Sequence, residues 1–199
     1  MTQRVKPLIR RIKSYLRITQ MTPIARRYFI KNGFDGSMTM LGIVIGSWIA
    51  GVVKTEIVVT AGLGACLAMG VSGLFGAYMT ERAERKNRLK ELEAAMLSDL
   101  SNSIHSDASN FASVYAAIID SASPMLTASI SLIPFIFTLT GKFAISDAYI
   151  ASLVLTLATL FVLGLYLGKI ARENIFLYGV QTVASGLLIV IIIFLFGAI

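Results

Sequence analysis

The chain has 199 residues, 56% of them hydrophobic and 15% charged, with a formal net charge of +7. That much apolar surface excludes an ordinary soluble domain of this size. The lone cysteine, Cys66, excludes an internal disulfide framework and any cysteine-built metal site, and its place inside an apolar run makes it a small packing residue.

Residues 1–31 hold nine basic residues and no acid. Leu8, Ile9, Ile12, Tyr15, Leu16 and Thr19 fall at helical spacing, with Arg10, Arg11, Lys13 and Arg17 between them. This predicts an amphipathic cytoplasmic helix lying on an anionic membrane surface. The interleaved apolar face suits lipid better than nucleic acid, and no nucleic-acid partner is expected. Thr22-Pro23 predicts the N-cap and first position of a second short helix, with Asn32-Gly33 as its end. No secretory cleavage pattern stands out.

The apolar blocks that follow have bilayer-spanning length, about 20 residues each. They predict an all-α membrane protein with five transmembrane helices, a helical cytoplasmic insert and the N-terminal amphipathic helix. Residues 34–80 carry the first two spans, Phe34 to Val53 and Ile57 to Thr80. Residues 81–121 form the insert, and 124–199 carry spans three to five: Pro124–Thr140, Ala148–Gly168 and Ile175–Ala198. Sixteen of the eighteen Lys and Arg residues flank one side: the N-terminus, the insert, and the turn with Lys169 and Arg172. Lys54 and Lys142 remain for the other. The N-terminus is therefore expected in the cytoplasm and the C-terminus opposite, in the cell membrane if the source is prokaryotic.

Packing signals lie within the spans. Gly42, Gly46 and Ala50 recur every four residues, as do Gly73-Ala77, Ser72-Gly76 and Gly164-Gly168. Small residues at this spacing let helices approach closely in lipid, within the chain or across a dimer. Pro134 is expected to interrupt the third span and free a carbonyl.

Asp35 is the residue of most interest. It stands at the mouth of the first apolar run, and an ionisable group at membrane depth costs roughly 2.5–3.5 kcal/mol on insertion scales. Two readings stand: a functional carboxylate, or a helix cap that snorkels to the headgroups. In the insert, Glu84 and Arg88 form an i,i+4 pair. Asp99, His105 and Asp107 add oxygen and nitrogen donors of the kind that suit Mn²⁺ or Fe²⁺, although a solvated helix face explains them equally. No serine has a partnered histidine, and there is no phosphate loop, so no enzymatic activity is expected.

The run Arg27-Tyr28-Phe29-Ile30-Lys31-Asn32-Gly33-Phe34-Asp35-Gly36-Ser37-Met38-Thr39 resembles the opening motif of the vacuolar iron transporter family. Ser72, Gly76, Tyr78 and Thr80 resemble the ending of that family's second helix. Pro124-Met125-Leu126-Thr127-Ala128 and Pro134 resemble its third, and Leu163-Gly164, Gly179 and Gly197 its last two. The resemblance implies a proton-coupled homodimeric exporter of Fe²⁺ or Mn²⁺ from the cytosol, with the metal path between protomers along the first two helices. It implies that Asp35 binds metal or proton; where this chain lacks the motif's Met and Glu, Met38, Met40, Met69 or backbone carbonyls remain to help it. It further implies that Glu81, Glu84 and Glu91 gather metal in the cytoplasm. The metal ion is cargo, and no resident cofactor is implied. Two departures stand out: Gly73 replaces a Met of the motif and Ala77 a Glu. They favour an alternative role, a non-transporting relative acting as a membrane-embedded accessory or scaffold subunit of a larger complex.

Overall fold

The computed structural model describes residues 11–101, 103–141 and 143–197. All secondary structure among them is helical. We label the helix over 11–18 α1. It is followed by α2 (Met21–Ile49), α3 (Thr55–Met96), α4 (Ile104–Leu139), α5 (Ile145–Ala171) and α6 (Ile175–Gly197). Leu8, Ile9 and Arg10 of the expected amphipathic face lie outside the described residues.

Four helices, α3 to α6, are long and apolar enough to cross a membrane. The most apolar stretch of α6 is only 11% buried within the chain. Such an apolar surface is stable only against lipid or other protein, so the chain is a multi-pass membrane protein. The expected first span belongs to α2 but is not among the four. Arg26, Arg27, Lys31 and Asp35 charge the first half of α2, and its apolar part ends at Ile49 rather than Val53. Gly51, at a φ of +68°, makes the turn that follows.

Two expected breaks are absent. No helix ends at Asn32-Gly33, because α2 runs unbroken from Met21 to Ile49. Gly33 instead serves packing: a Cβ there would lie 3.0 Å from Ser123 Oγ and 3.3 Å from Thr127 Cγ2. Pro23 sits in the first turn of α2, where its missing N–H costs no helical bond. The expected insert is built from the two flanking helices, its charged first part continuing the second span. Its first part is the continuation of α3 to Met96, its last part is the beginning of α4, and only 97–103 leave the helix between them. The switch from apolar to charged residues at Glu81 changes the solvent a helix prefers, not its backbone. Finally, α4 continues through both Pro124 and Pro134.

The chain divides into two compact units. One comprises the described residues up to Phe29 with Val71–Ser121. Its centre is Met21, Ala112 and Ala116, ringed by Leu16, Ile24, Tyr28 and Tyr115. Ala108, Ala112 and Ala116 recur every four residues, all fully buried, so their face of α4 admits close neighbours. Here the Tyr15 and Leu16 side of α1 meets protein. Tyr15 is buried, packs on Phe111 at 5.6 Å between ring centroids, and donates its hydroxyl to Asp107 at 3.4 Å.

The second unit comprises Ile30–Gly70 and Ala122–Ile199. Its core holds Met40, Val44, Val58, Cys66, Ala128, Leu132, Phe135 and Tyr149. Tyr149 stacks on Trp48, meets Phe135 edge-on, and donates to the Val52 carbonyl at 2.9 Å. A buried hydroxyl network ties α4 to α5. Ser152 donates to the Ser131 carbonyl and Thr156 to Ser131 Oγ, both at 2.6 Å. Such bonds replace the missing hydrophobic drive between helices in lipid.

Candidate functional site

Asp35 lies fourteen residues into α2, so it is not a helix cap. It is exposed, and its main-chain carbonyl accepts the Thr39 hydroxyl at 2.8 Å. Its carboxylate has no hydrogen bond or ion pair among the described residues. It borders a groove of about 370 Å³. Apolar walls come from Phe34, Leu163 and Leu167, and polar groups from Lys31, Tyr178, Gln181, Thr182 and Ser185. Lys31 stands one helical turn before Asp35, the i,i+4 spacing of a neighbouring charge.

The floor of this groove is fixed by close helix approaches. Thr182 donates to the Leu160 carbonyl at 2.9 Å, and Ser185 to the Thr182 carbonyl at 2.7 Å. Each hydroxyl spends its proton on a carbonyl and keeps lone pairs that can accept. The groove thus offers one carboxylate and several neutral oxygens, a donor set suited to a hard or borderline cation or to a proton.

Neither Met38 nor Met69 lines the groove. Met38 follows Asp35 by three residues and is half-buried. Met69 packs against the core around Met40 and Cys66. Among the described residues no group of three or more His, Cys, Asp or Glu side chains could hold a metal ion.

The cytoplasmic carboxylates are engaged locally. Glu81 accepts the Tyr28 hydroxyl at 2.7 Å, and its Oε2 lies 3.0 Å from Arg85 Nε. That contact is an ion pair out of line for a hydrogen bond, since buried Nε has no bonded acceptor. Glu84 pairs with Arg88 at 3.1 Å, and Glu91 accepts from Asn87 at 2.9 Å. Asp99 accepts the Ser101 N–H at 2.8 Å, which holds its carboxyl below the usual range. Asp107 faces Arg11 and Tyr15, and His105 is exposed.

Sequence reasoning missed Tyr28 and Asp120. Burial, the hydrogen bond to Glu81 and the negative charges of Glu81 and Asp120 push the Tyr28 hydroxyl up to about 12, against the opposing pull of Arg27. Asp120 also explains Gly73. A Cβ on Gly73 would lie 3.0 Å from both the carbonyl oxygen and Oδ2 of Asp120. The place of the motif's Met is thus filled by the α4 backbone. The signal in the sequence was Asp120 itself, four residues before Pro124, where a proline frees a carbonyl.

Two comparisons bear on this arrangement. The profile of the VIT family matches residues 87–198. The chain is also 30% identical over 172 residues to "Uncharacterized protein MJ0645" of Methanocaldococcus jannaschii, an alignment covering 85% of this chain and 86% of that one. The profile match begins after the Asp35 stretch, while the archaeal relative covers most of both chains.

Proposed function

The chain belongs to the VIT family, a family of membrane metal-ion transporters, and from that premise we propose that it carries a divalent metal ion out of the cytosol in exchange for protons. The carrying observation is the Asp35 carboxylate, unpaired among the described residues at the edge of a groove with neutral oxygens. The cargo is of the Fe²⁺ or Mn²⁺ class. Asp35 holds ion and proton in turn, with Met38 one turn away. In this reading α2 is the fifth membrane helix. Residues 34–49 span only about 24 Å at 1.5 Å per residue, against a hydrocarbon thickness of about 30 Å. The helix therefore enters lipid before Phe34, and Asp35 lies below the headgroups. Glu81, Glu84 and Glu91 act as a loose cytoplasmic attraction for cations, exchanging their present partners.

The protein acts as a homodimer in the same reading. Gly46 has open space where a Cβ would stand, and Gly42 has only Ile193 at 3.9 Å. This small-residue stripe is left unused by the chain itself and is available to a second copy. The expected orientation, N-terminus in the cytoplasm, belongs to this proposal and follows from the basic flanks.

The test is flux of Fe²⁺, Mn²⁺, Co²⁺ and Zn²⁺ into proteoliposomes under an imposed pH gradient. Saturable flux in the wild type and none in well-folded Asp35→Asn is the expected result. Full flux from Asp35→Asn would sink the role given to that residue.

One observation favours a second reading, a non-transporting accessory subunit. Gly73 and Ala77 remove two ligands of the motif, and no three-ligand cluster forms among the described residues. This reading expects no flux of any ion and stoichiometric co-purification of other subunits, where the transporter purifies as a clean dimer.

A further inference from the structure

Along α3 the charges are sorted by face. Glu81 with Arg85, Glu84 with Arg88 and Asn87 with Glu91 form i,i+4 contacts that neutralise or satisfy each other. Another face shows the opposite arrangement. Arg82, Lys86 and Lys90 stack at i, i+4 and i+8, and none has an ion-pair partner among the described residues. Like charges at that spacing destabilise a helix by roughly 0.2–0.5 kcal/mol per pair.

These three side chains, with Arg85, line a cavity of about 300 Å³. The opposing wall is the hydroxyl and amide face of α4: Ser106, Ser109, Asn110 and Ser113. Ser101 also lines it. The cavity's one acid among the described residues, Glu93, accepts the Leu100 N–H at 3.0 Å and so is committed to the 97–103 link. Arg85 is nine-tenths buried; its Nε lies 3.0 Å from Glu81 Oε2, out of line for a hydrogen bond, and its Nη2 meets Met21 Sδ at 2.9 Å. The cavity thus gathers several hydroxyls and four cations, of which Glu81 balances Arg85 alone, while Arg82, Lys86 and Lys90 have no carboxylate partner among the described residues.

We propose that this cavity binds a phosphate-bearing anion. A tetrahedral anion accepts from many directions at once, which matches converging Arg, Lys and Ser donors better than one carboxylate would. The bound anion cancels the repulsion along the Arg82-Lys86-Lys90 ladder. The source is a lipid headgroup or a soluble phosphate compound, and the site is independent of the Asp35 groove.

The test uses the full chain purified in neutral, phosphate-free detergent. Two probes are titrated: inorganic pyrophosphate in solution, and phosphatidylglycerol added to the micelles. The readouts are calorimetric affinity and the rise in thermal unfolding midpoint that binding to the folded state produces. Wild type is compared with K86Q/K90Q and with K169Q/R172Q, which removes the same charge elsewhere. Saturable binding is expected in wild type and K169Q/R172Q, weakened on the order of tenfold or more in K86Q/K90Q, as loss of charge-assisted bonds implies. Without ligand, K86Q/K90Q is at least as stable as wild type, because the repulsion is relieved. Binding of pyrophosphate identifies a soluble phosphate, and saturation by phosphatidylglycerol alone identifies a headgroup. No binding of either probe, or equal affinity in all three proteins, overturns the proposal. A K86Q/K90Q chain less stable than wild type without ligand also counts against it.

Discussion

At the scale of single residues, the glycines of α2 separate into two kinds. A Cβ on Gly36 would lie 2.6 Å from the Pro124 carbonyl oxygen and 2.7 Å from its Cα. Backbone cannot yield as a side chain can. Gly36→Val is therefore expected to cost roughly 1–3 kcal/mol, the range for overpacking, seen as a lower thermal unfolding midpoint. Gly46 has nothing within contact distance of a Cβ. Gly46→Ala should hold or raise the midpoint of the monomer, since alanine favours a helix by about 1 kcal/mol. Equal losses at the two positions would refute this division. Tyr28 supplies a second prediction. Its hydroxyl is pushed from 10 to about 12, so the folded chain holds that proton more tightly than the unfolded one. Below pH 10 the contribution is complete, and it is lost as pH rises from 10 to 12. Wild type should lose more stability across that window than Tyr28→Phe, as thermal unfolding at successive pH values will read.

At the scale of elements, small-residue spacing was the most legible signal. Gly164 and Gly168 were singled out from their four-residue repeat, and both are buried against α6. A Cβ on Gly164 would lie 2.7 Å from Gly179 Cα, and one on Gly168 would lie 2.7 Å from Ile175 Cα. Gly164→Leu is expected to part α5 from α6 and lower the unfolding midpoint far more than Leu165→Ala, because Gly164 is buried against α6 backbone while Leu165 is only partly buried. Helix ends were less legible. Asn32-Gly33 carries a stop signal in its composition, yet a glycine needed for close approach looks the same in sequence as one needed for a turn. The change of solvent at Glu81, by contrast, leaves the helix unbroken to Met96, as its charged i,i+4 pattern announces. Patterning reports which medium a face meets, while helical hydrogen bonding continues through both. The face of α1 shows the complementary gap. Ile12, Tyr15 and Leu16 announce an apolar stripe, but whether lipid or the alanine face of α4 covers it is decided by long-range packing.

At the scale of the whole molecule, composition and block length sufficed to identify a multi-pass helical membrane protein. The family was also legible, through the order of motifs along the chain rather than through any one of them. The candidate site was legible in one residue, Asp35. Its polar companions Gln181, Thr182 and Ser185 come from the last helix, where they are scattered among apolar residues and carry no motif.

The link between α3 and α4 has a practical consequence. Helices α2 and α3 are separated by residues 50–54, α4 and α5 by 140–144, and α5 and α6 by 172–174, each too short to thread through a protease active site without unfolding its ends. Residues 97–103 are longer, and Leu97 stands 94% exposed at a φ of +50°. Brief digestion of the native protein by a broad-specificity protease should therefore nick this link first. It should yield two fragments of nearly equal mass that stay together until detergent or heat releases them. A first cut elsewhere among the described residues would show that another segment opens more readily. Because that link emerges on the cytoplasmic side of the proposed topology, the same digest on sealed vesicles of known sidedness would report which way the molecule faces.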